Sequence, residues 1–175
     1  ISKNVGVHTV VMSDGTDTPG GAKKIAPKRP ANLSAQFTPE QVAKLTDPEL
    51  AYLLASPNLD PAGMKTVVEE AGKRTSVDFS EYLFVLSGDP DYKVRIAVLK
   101  VLSSNPKYLT GNGLKVIKAR IKDKEFLVRG YSAKVLAVSG DASVLPDLEA
   151  QLKVEDHEKI RALLQESIDK IRSRK

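Results

Sequence analysis

The chain has 175 residues, with 27 lysines and arginines against 22 aspartates and glutamates, a net charge of +5, and neither cysteine nor tryptophan. The missing cysteines exclude disulfides, thiolate catalysis and cysteine-held metals, and no apolar run approaches the roughly 18 residues of a membrane span. Aromatics make up only 5%, so a core of this size must be aliphatic, and the mild positive charge suits a lysine-rich surface or acidic partners.

A cysteine-free chain suits cytosol and periplasm alike, so the compartment stays open. The chain starts at Ile1 without a signal peptide and is expected to be a processed or trimmed form.

Residues 1–37 differ from the rest. Val5, Val7, Thr9 and Val11 alternate with other residues and predict one short strand, which needs a sheet edge or a partner to persist. Asp14-Gly15 and Pro19-Gly20-Gly21 break the pattern, and Lys23, Lys24, Lys28 and Arg29 follow among prolines. We read 1–37 as an extended arm that orders only against a neighbouring subunit, and 38–175 as a helical domain without a strand.

At Thr38 the signals become helical. Thr38-Pro39-Glu40-Gln41 combines an N-cap, a proline in the first turn and a capping-box glutamine. Helices are predicted over about 39–45, 48–55 and 61–73, the last with Met64, Val67, Val68 and Ala71 on one face. Asp78 with Glu81 opens a helix over about 79–87, and further helices follow at about 91–103, 112–122, 125–138, 142–153 and 157–172. Their short connections predict antiparallel neighbours. Arg172, Arg174 and Lys175 end the last helix and suit the negative end of its dipole.

One string occurs three times. Val94-Arg95 is followed by Val98 and Leu102, Val128-Arg129 by Ser132 and Leu136, and Ile160-Arg161 by Leu164 and Ile168. Six residues before each arginine stands an acid: Asp89, Asp123 and Glu155. A recurrence of this length with helical spacing predicts stacked helical hairpins, each of which needs a neighbour to cover its apolar face. When the hairpins stack, each guanidinium can reach the carboxylate of its own or a neighbouring hairpin, giving a ladder of ion pairs written as Asp89/Arg95, Asp123/Arg129 and Glu155/Arg161. These residues are read as structural.

The run from Asp89 through Val94-Arg95 to Leu99 resembles the HEAT-repeat family, with an aspartate in the turn, then Val-Arg, then small or apolar residues at helical spacing. The copy from Asp123 departs at Gly130 and Ser132, and the copy from Glu155 replaces Asp by Glu and Val by Ile. The resemblance covers 78–172 well and 39–73 weakly. It implies an all-α, right-handed α-α superhelix of about four hairpins that scaffolds or binds other proteins. A minority of such proteins are enzymes, including bilin lyases and alkylpurine DNA glycosylases. The scarcity of aromatics argues against a pocket for an extruded base or a tetrapyrrole.

No cofactor, metal or catalytic constellation is expected. Glu155, Asp156, His157 and Glu158 are metal-like in type, but consecutive residues do not converge on one helix face. Gly111-Asn112-Gly113 lacks the strand and lysine of a phosphate loop. The most prominent surface feature is basic: Lys115, Lys118 and Lys122 form a stripe that Arg120 and Lys124 widen, and 107–134 holds eight bases against two acids. This helix, with Lys23, Lys24, Lys28 and Arg29 of the arm, is the candidate partner-binding surface. The expected role is a non-enzymatic scaffold or adaptor subunit with protein partners that present an acidic surface. The alternative is binding of nucleic acid, or another anionic surface, through the basic helix 112–124.

Overall fold

A computed structural model describes residues 23–32 and 37–174. The expected strand at 5–11 lies outside the described residues. The described part is all-α apart from one minimal pairing. Its helices are α1 (Pro39–Ala43), α2 (Asp47–Leu54), α3 (Pro61–Lys73), α4 (Ser80–Leu86), α5 (Tyr92–Ser104), α6 (Asn112–Ala119), α7 (Phe126–Ser139), α8 (Leu145–Val154) and α9 (Glu158–Arg172). Three-residue 3-10 turns extend α6 at Arg120–Lys122 and introduce α8 at Ala142–Val144.

The helix starts follow the local chemistry. Thr38 and Gln41 form a reciprocal capping box, the Thr38 hydroxyl accepting the Gln41 amide at 3.3 Å and the Gln41 side chain accepting the Thr38 amide at 3.0 Å. Asp60 caps α3 by accepting the Gly63 amide at 2.6 Å. Thr46 is the N-cap of α2, with Glu49 accepting its amide at 2.8 Å. At α4 the N-cap is Phe79, fully buried, while Asp78 accepts the Ser80 amide from one position earlier.

The helices pair as four hairpins, α2/α3, α4/α5, α6/α7 and α8/α9, which stack into a solenoid of two layers. The second helices α3, α5, α7 and α9 lie side by side in what we term the front layer, and α2, α4, α6 and α8 form the back. The core between them is aliphatic: Leu50, Leu53, Leu83, Leu99, Leu102, Ile117, Ile121, Leu136, Leu148 and Leu164 are all fully buried or nearly so. The seam residues of the repeated string, Val94, Val98 and Leu102, then Val128 and Leu136, then Ile160, Leu164 and Ile168, lie in this core.

The departure at Gly130 is a matter of packing. A Cβ on Gly130 would stand 2.7 Å from Ile160 Cδ1 and 3.3 Å from Leu163 Cδ1, so any side chain here has to displace the ends of these two side chains of α9. Ser132 is fully buried in the same seam.

The arm departs from expectation. Residues 23–30 run along the array itself instead of ordering only against a neighbour. Lys23–Lys24 (β1) pairs in parallel with Val77–Asp78 (β2), a strand of the helical domain that periodicity does not reveal because it is two residues long. Tyr82 donates its hydroxyl to Ile25 O at 3.1 Å, the Lys28 amide donates to Pro48 O at 2.9 Å, and Pro30 is buried. Arg172 and Arg174 also reach beyond their own helix. Arg172 bonds Glu149 at 2.7 Å, and Arg174 donates to the carbonyls of Gly140 and Ala137, satisfying the C-terminal end of α7.

Candidate protein-binding surface

The ladder fixes the shape of the surface. Arg95 donates Nε and Nη2 to the two carboxylate oxygens of Asp123 at 2.9 and 2.7 Å, and Arg129 does the same to Glu155 at 2.7 and 2.6 Å. The paired acid belongs to the next hairpin. Within its own hairpin each arginine instead donates Nη1 to main-chain carbonyls: Arg95 to Asp89 and Pro90, Arg129 to Asp123 and Lys124, Arg161 to Glu155 and Leu152. The pairs Asp89/Arg95, Asp123/Arg129 and Glu155/Arg161 are therefore not carboxylate contacts.

The reason is local. Each acid stands two residues before a helix N-cap and accepts that residue's amide: Asp89 from Asp91, Asp123 from Glu125, Glu155 from His157. This capping turns the carboxylate back toward the preceding hairpin, where the guanidinium of that hairpin meets it.

Both complete rungs are dehydrated. The Arg95 and Asp123 side chains keep 3% and 4% of their exposure, and that of Glu155 is fully buried. The hydrogen bonds from Arg129 hold the Glu155 carboxyl down to about 2, aided by Gln151 and the His157 amide against the opposing effect of burial. The same pairing raises Arg129. The ladder stops at Asp89 because the residue four places after the preceding N-cap, Asp60, is Met64 in place of arginine.

The basic helix belongs to the back layer and is partly neutralised. Lys118 and Lys122 share Asp147 of α8 at 3.1 and 3.8 Å, and Arg120 lies 3.5 Å from Asp123. Lys115 and Lys124 are exposed. Arg120, Lys122 and Lys124 also line a shallow cleft of about 340 Å³ with Asp89, Arg95 and Asp123, so the positive charge there is interleaved with acid. Of the arm bases, Lys23 and Lys24 lie in β1, while Lys28 and Arg29 are exposed on the same stretch that crosses α2 and α4.

A second surface, absent from the sequence reading, occupies the open face of the front layer. On α7, Leu127, Tyr131, Lys134 and Val138 follow one another at offsets of four, three and four and so share one helix face. Leu127 is 46% and Val138 77% exposed, with Tyr131 half-buried between them. Counting from the N-caps Asp91, Glu125 and His157, the second position is Lys93, Leu127 and Lys159, and the ninth is Lys100, Lys134 and Glu166. The lysines therefore flank the apolar stripe from both neighbouring helices. None of Lys93, Lys100, Lys134 and Lys159 has a carboxylate within ion-pair distance among the described residues. At the stripe's N-terminal end, Phe126 stacks on His157 with ring centroids 4.4 Å apart.

Among the described residues no cluster of histidine and carboxylate could hold a metal, and no helix is long and apolar enough to cross a membrane. Glu155 and Asp156 both face the Arg129 guanidinium, at 2.6 and 3.8 Å, so their carboxylates meet a cation of the protein itself, and the Asp156 side chain is otherwise 95% exposed.

No curated protein and no solved structure gave a match to the chain. A family model described as HEAT repeats matches residues 80–169, which spans the second, third and fourth hairpins and both complete rungs of the ladder. HEAT repeats generally mediate protein–protein interactions and are typically non-enzymatic. With stacked hairpins, a repeated arginine ladder and a family match over half its length, the chain belongs to the HEAT-repeat family.

Proposed function

We propose that this chain is a non-enzymatic scaffold or adaptor subunit that binds another protein on the open face of its front layer. One observation carries the reading: Leu127 and Val138 are solvent-exposed on one face of a helix in the middle of the front layer, with the half-buried Tyr131 between them. The ladder supports it, because bidentate pairs between successive hairpins resist sliding of the helices that present the stripe. A surface held in one shape loses less entropy on binding than a mobile one.

The back-layer basic helix is the weaker candidate. Lys118 and Lys122 already face Asp147, which reduces the charge available to a phosphate backbone. A partner with an acidic surface remains part of the proposal, with the front-layer lysines as its contacts. The test is a photo-activated cross-linking side chain at Leu127, compared with one at Lys115, in the native assembly. The reading expects a protein adduct from position 127. Adducts from 115 alone would move the interface to the back layer, and a nucleic-acid adduct there would favour the alternative.

A further inference from the structure

We propose, resting on the protein-binding reading above, that the ligand of the front face is an acidic amphipathic helix of the partner protein. It lies along α7 with its apolar side chains on Leu127, Tyr131 and Val138. Its carboxylates face the lysines of α5 and α9 on either side and Lys134 between them.

Three features of the face select this ligand. The first is the shape of the stripe. Leu127 to Val138 spans eleven residue steps along one helix, about 16 Å, or three turns. A second helix presents an apolar stripe of the same length, and such pairing is a standard mode of peptide recognition. The second is the distribution of charge. Lys93, Lys100 and Lys159 are exposed and in no ion pair among the described residues, and Lys134 is exposed and acts on Glu166 of α9 only from beyond ion-pair distance, whereas Glu69 on α3 and Glu166 on α9 each have a lysine four residues away. The centre of the face is cationic and its margins are neutralised. Carboxylates of a ligand would find Lys93, Lys100 and Lys159 outside any such ion pair and Lys134 held only at long range by Glu166, and a basic ligand would be repelled.

The third feature discriminates against the other anionic ligands. A phosphate backbone would meet the lysines but leave Leu127 and Val138 covered by a charged strand. Nor does the face offer a stacking platform for bases, since Phe126 is already stacked on His157 and Tyr131 is half-buried. An apolar stripe bracketed by cations is matched by a ligand with the reverse arrangement.

The test measures binding of the full chain to a fluorescently labelled peptide of 15 residues. The peptide carries leucines at i, i+4 and i+11 and is otherwise rich in alanine and glutamate. The controls are a scrambled peptide of the same composition and an oligothymidylate of the same charge. The account expects a Kd on the order of 10 µM, with both controls at least about tenfold weaker. Lys100→Glu with Lys134→Glu, and separately Leu127→Ser with Val138→Ser, each weaken the peptide at least about tenfold. These positions are exposed or solvent-facing, so circular dichroism should report an unchanged fold. Lys115→Glu with Lys124→Glu changes binding less than about twofold.

Equal binding of the scrambled peptide, tighter binding of the oligothymidylate, or a larger effect at Lys115 and Lys124 overturns the proposal. The two levels fail separately. If the partner cross-linked at Leu127 makes its contact through a neutral or basic segment, the acidic-helix inference falls and the protein-binding reading stands. If position 127 yields no protein adduct, the protein-binding reading falls as well.

Discussion

Arg129 holds Glu155 with two parallel hydrogen bonds of 2.7 and 2.6 Å across the boundary between the third and fourth hairpins. The same residue anchors its remaining edge to the carbonyls of Asp123 and Lys124 in its own turn. One guanidinium thus ties a turn to itself and to the next. The arrangement recurs at Arg95 and Asp123, so the hairpins are joined by polar geometry as well as by their apolar seam.

Breaking a rung should cost more than an ordinary surface ion pair. Arg129→Met leaves the fully buried Glu155 carboxylate without its cation, and a loss of about 3 kcal/mol is expected from urea unfolding. The double substitution Arg129→Met with Glu155→Leu should recover a large part of that loss, because it removes the stranded charge. A single variant as stable as the parent would show that the rung contributes little.

The rung also predicts a pH dependence. Glu155 sits at about 2 in the folded chain, below the ordinary glutamate value of 4.5. A depressed carboxyl stabilises the fold above its unfolded pKa, and this contribution is lost as pH falls from near 4.5 toward 2. The size is on the order of 3 kcal/mol. Denaturant midpoints measured from pH 6 to pH 2 should decline more steeply in the parent than in Glu155→Gln, which lacks this titration. Parallel declines would contradict the pairing.

Gly130 lies where Ile160 and Leu163 of α9 reach α7. Gly130→Val should destabilise the chain by about 2 kcal/mol, since its side chain would enter space held by Ile160 and Leu163. Gly130→Ala should cost less, because the gain in helix propensity offsets part of the crowding. Thermal unfolding orders the variants, and an increase in stability for Val would refute the close approach.

The packing of residues 23–30 separates two truncations. Removing 1–30 should leave the chain about 2 kcal/mol less stable than removing 1–22, since it deletes the Tyr82–Ile25 and Lys28–Pro48 bonds and exposes the site of Pro30. Equal stability would mean that this stretch does not hold to the array in solution.

Much of the fold is written in local signals. The capping box at Thr38, the cap at Asp60 and the Val-Arg recurrence each mark a helix that the structure contains. The ladder's members were legible, but their register was not. An acid six residues upstream is equally suggestive of a contact within a hairpin, and only its second task, accepting the N-cap amide, turns it toward the preceding one. The strand Val77–Asp78 is too short for periodicity to register.

The front face was missed for a physical reason. Charge read along the chain favours 107–134, where bases are dense, yet Asp147 from the next hairpin neutralises part of that stripe. Lys93, Lys100, Lys134 and Lys159 are distributed over three hairpins and become one surface only when the hairpins stack. Aligning the repeats on their N-caps would have placed them in common columns beside Leu127.

The most direct measurement is lysine footprinting of the native assembly with an amine-reactive acetylating reagent, compared with the isolated chain. The account predicts that Lys100 and Lys134 lose reactivity in the assembly by at least about fivefold, while Lys115 and Lys124 keep theirs. Protection of Lys115 and Lys124 with Lys100 and Lys134 still reactive would place the partner on the back layer and contradict the account.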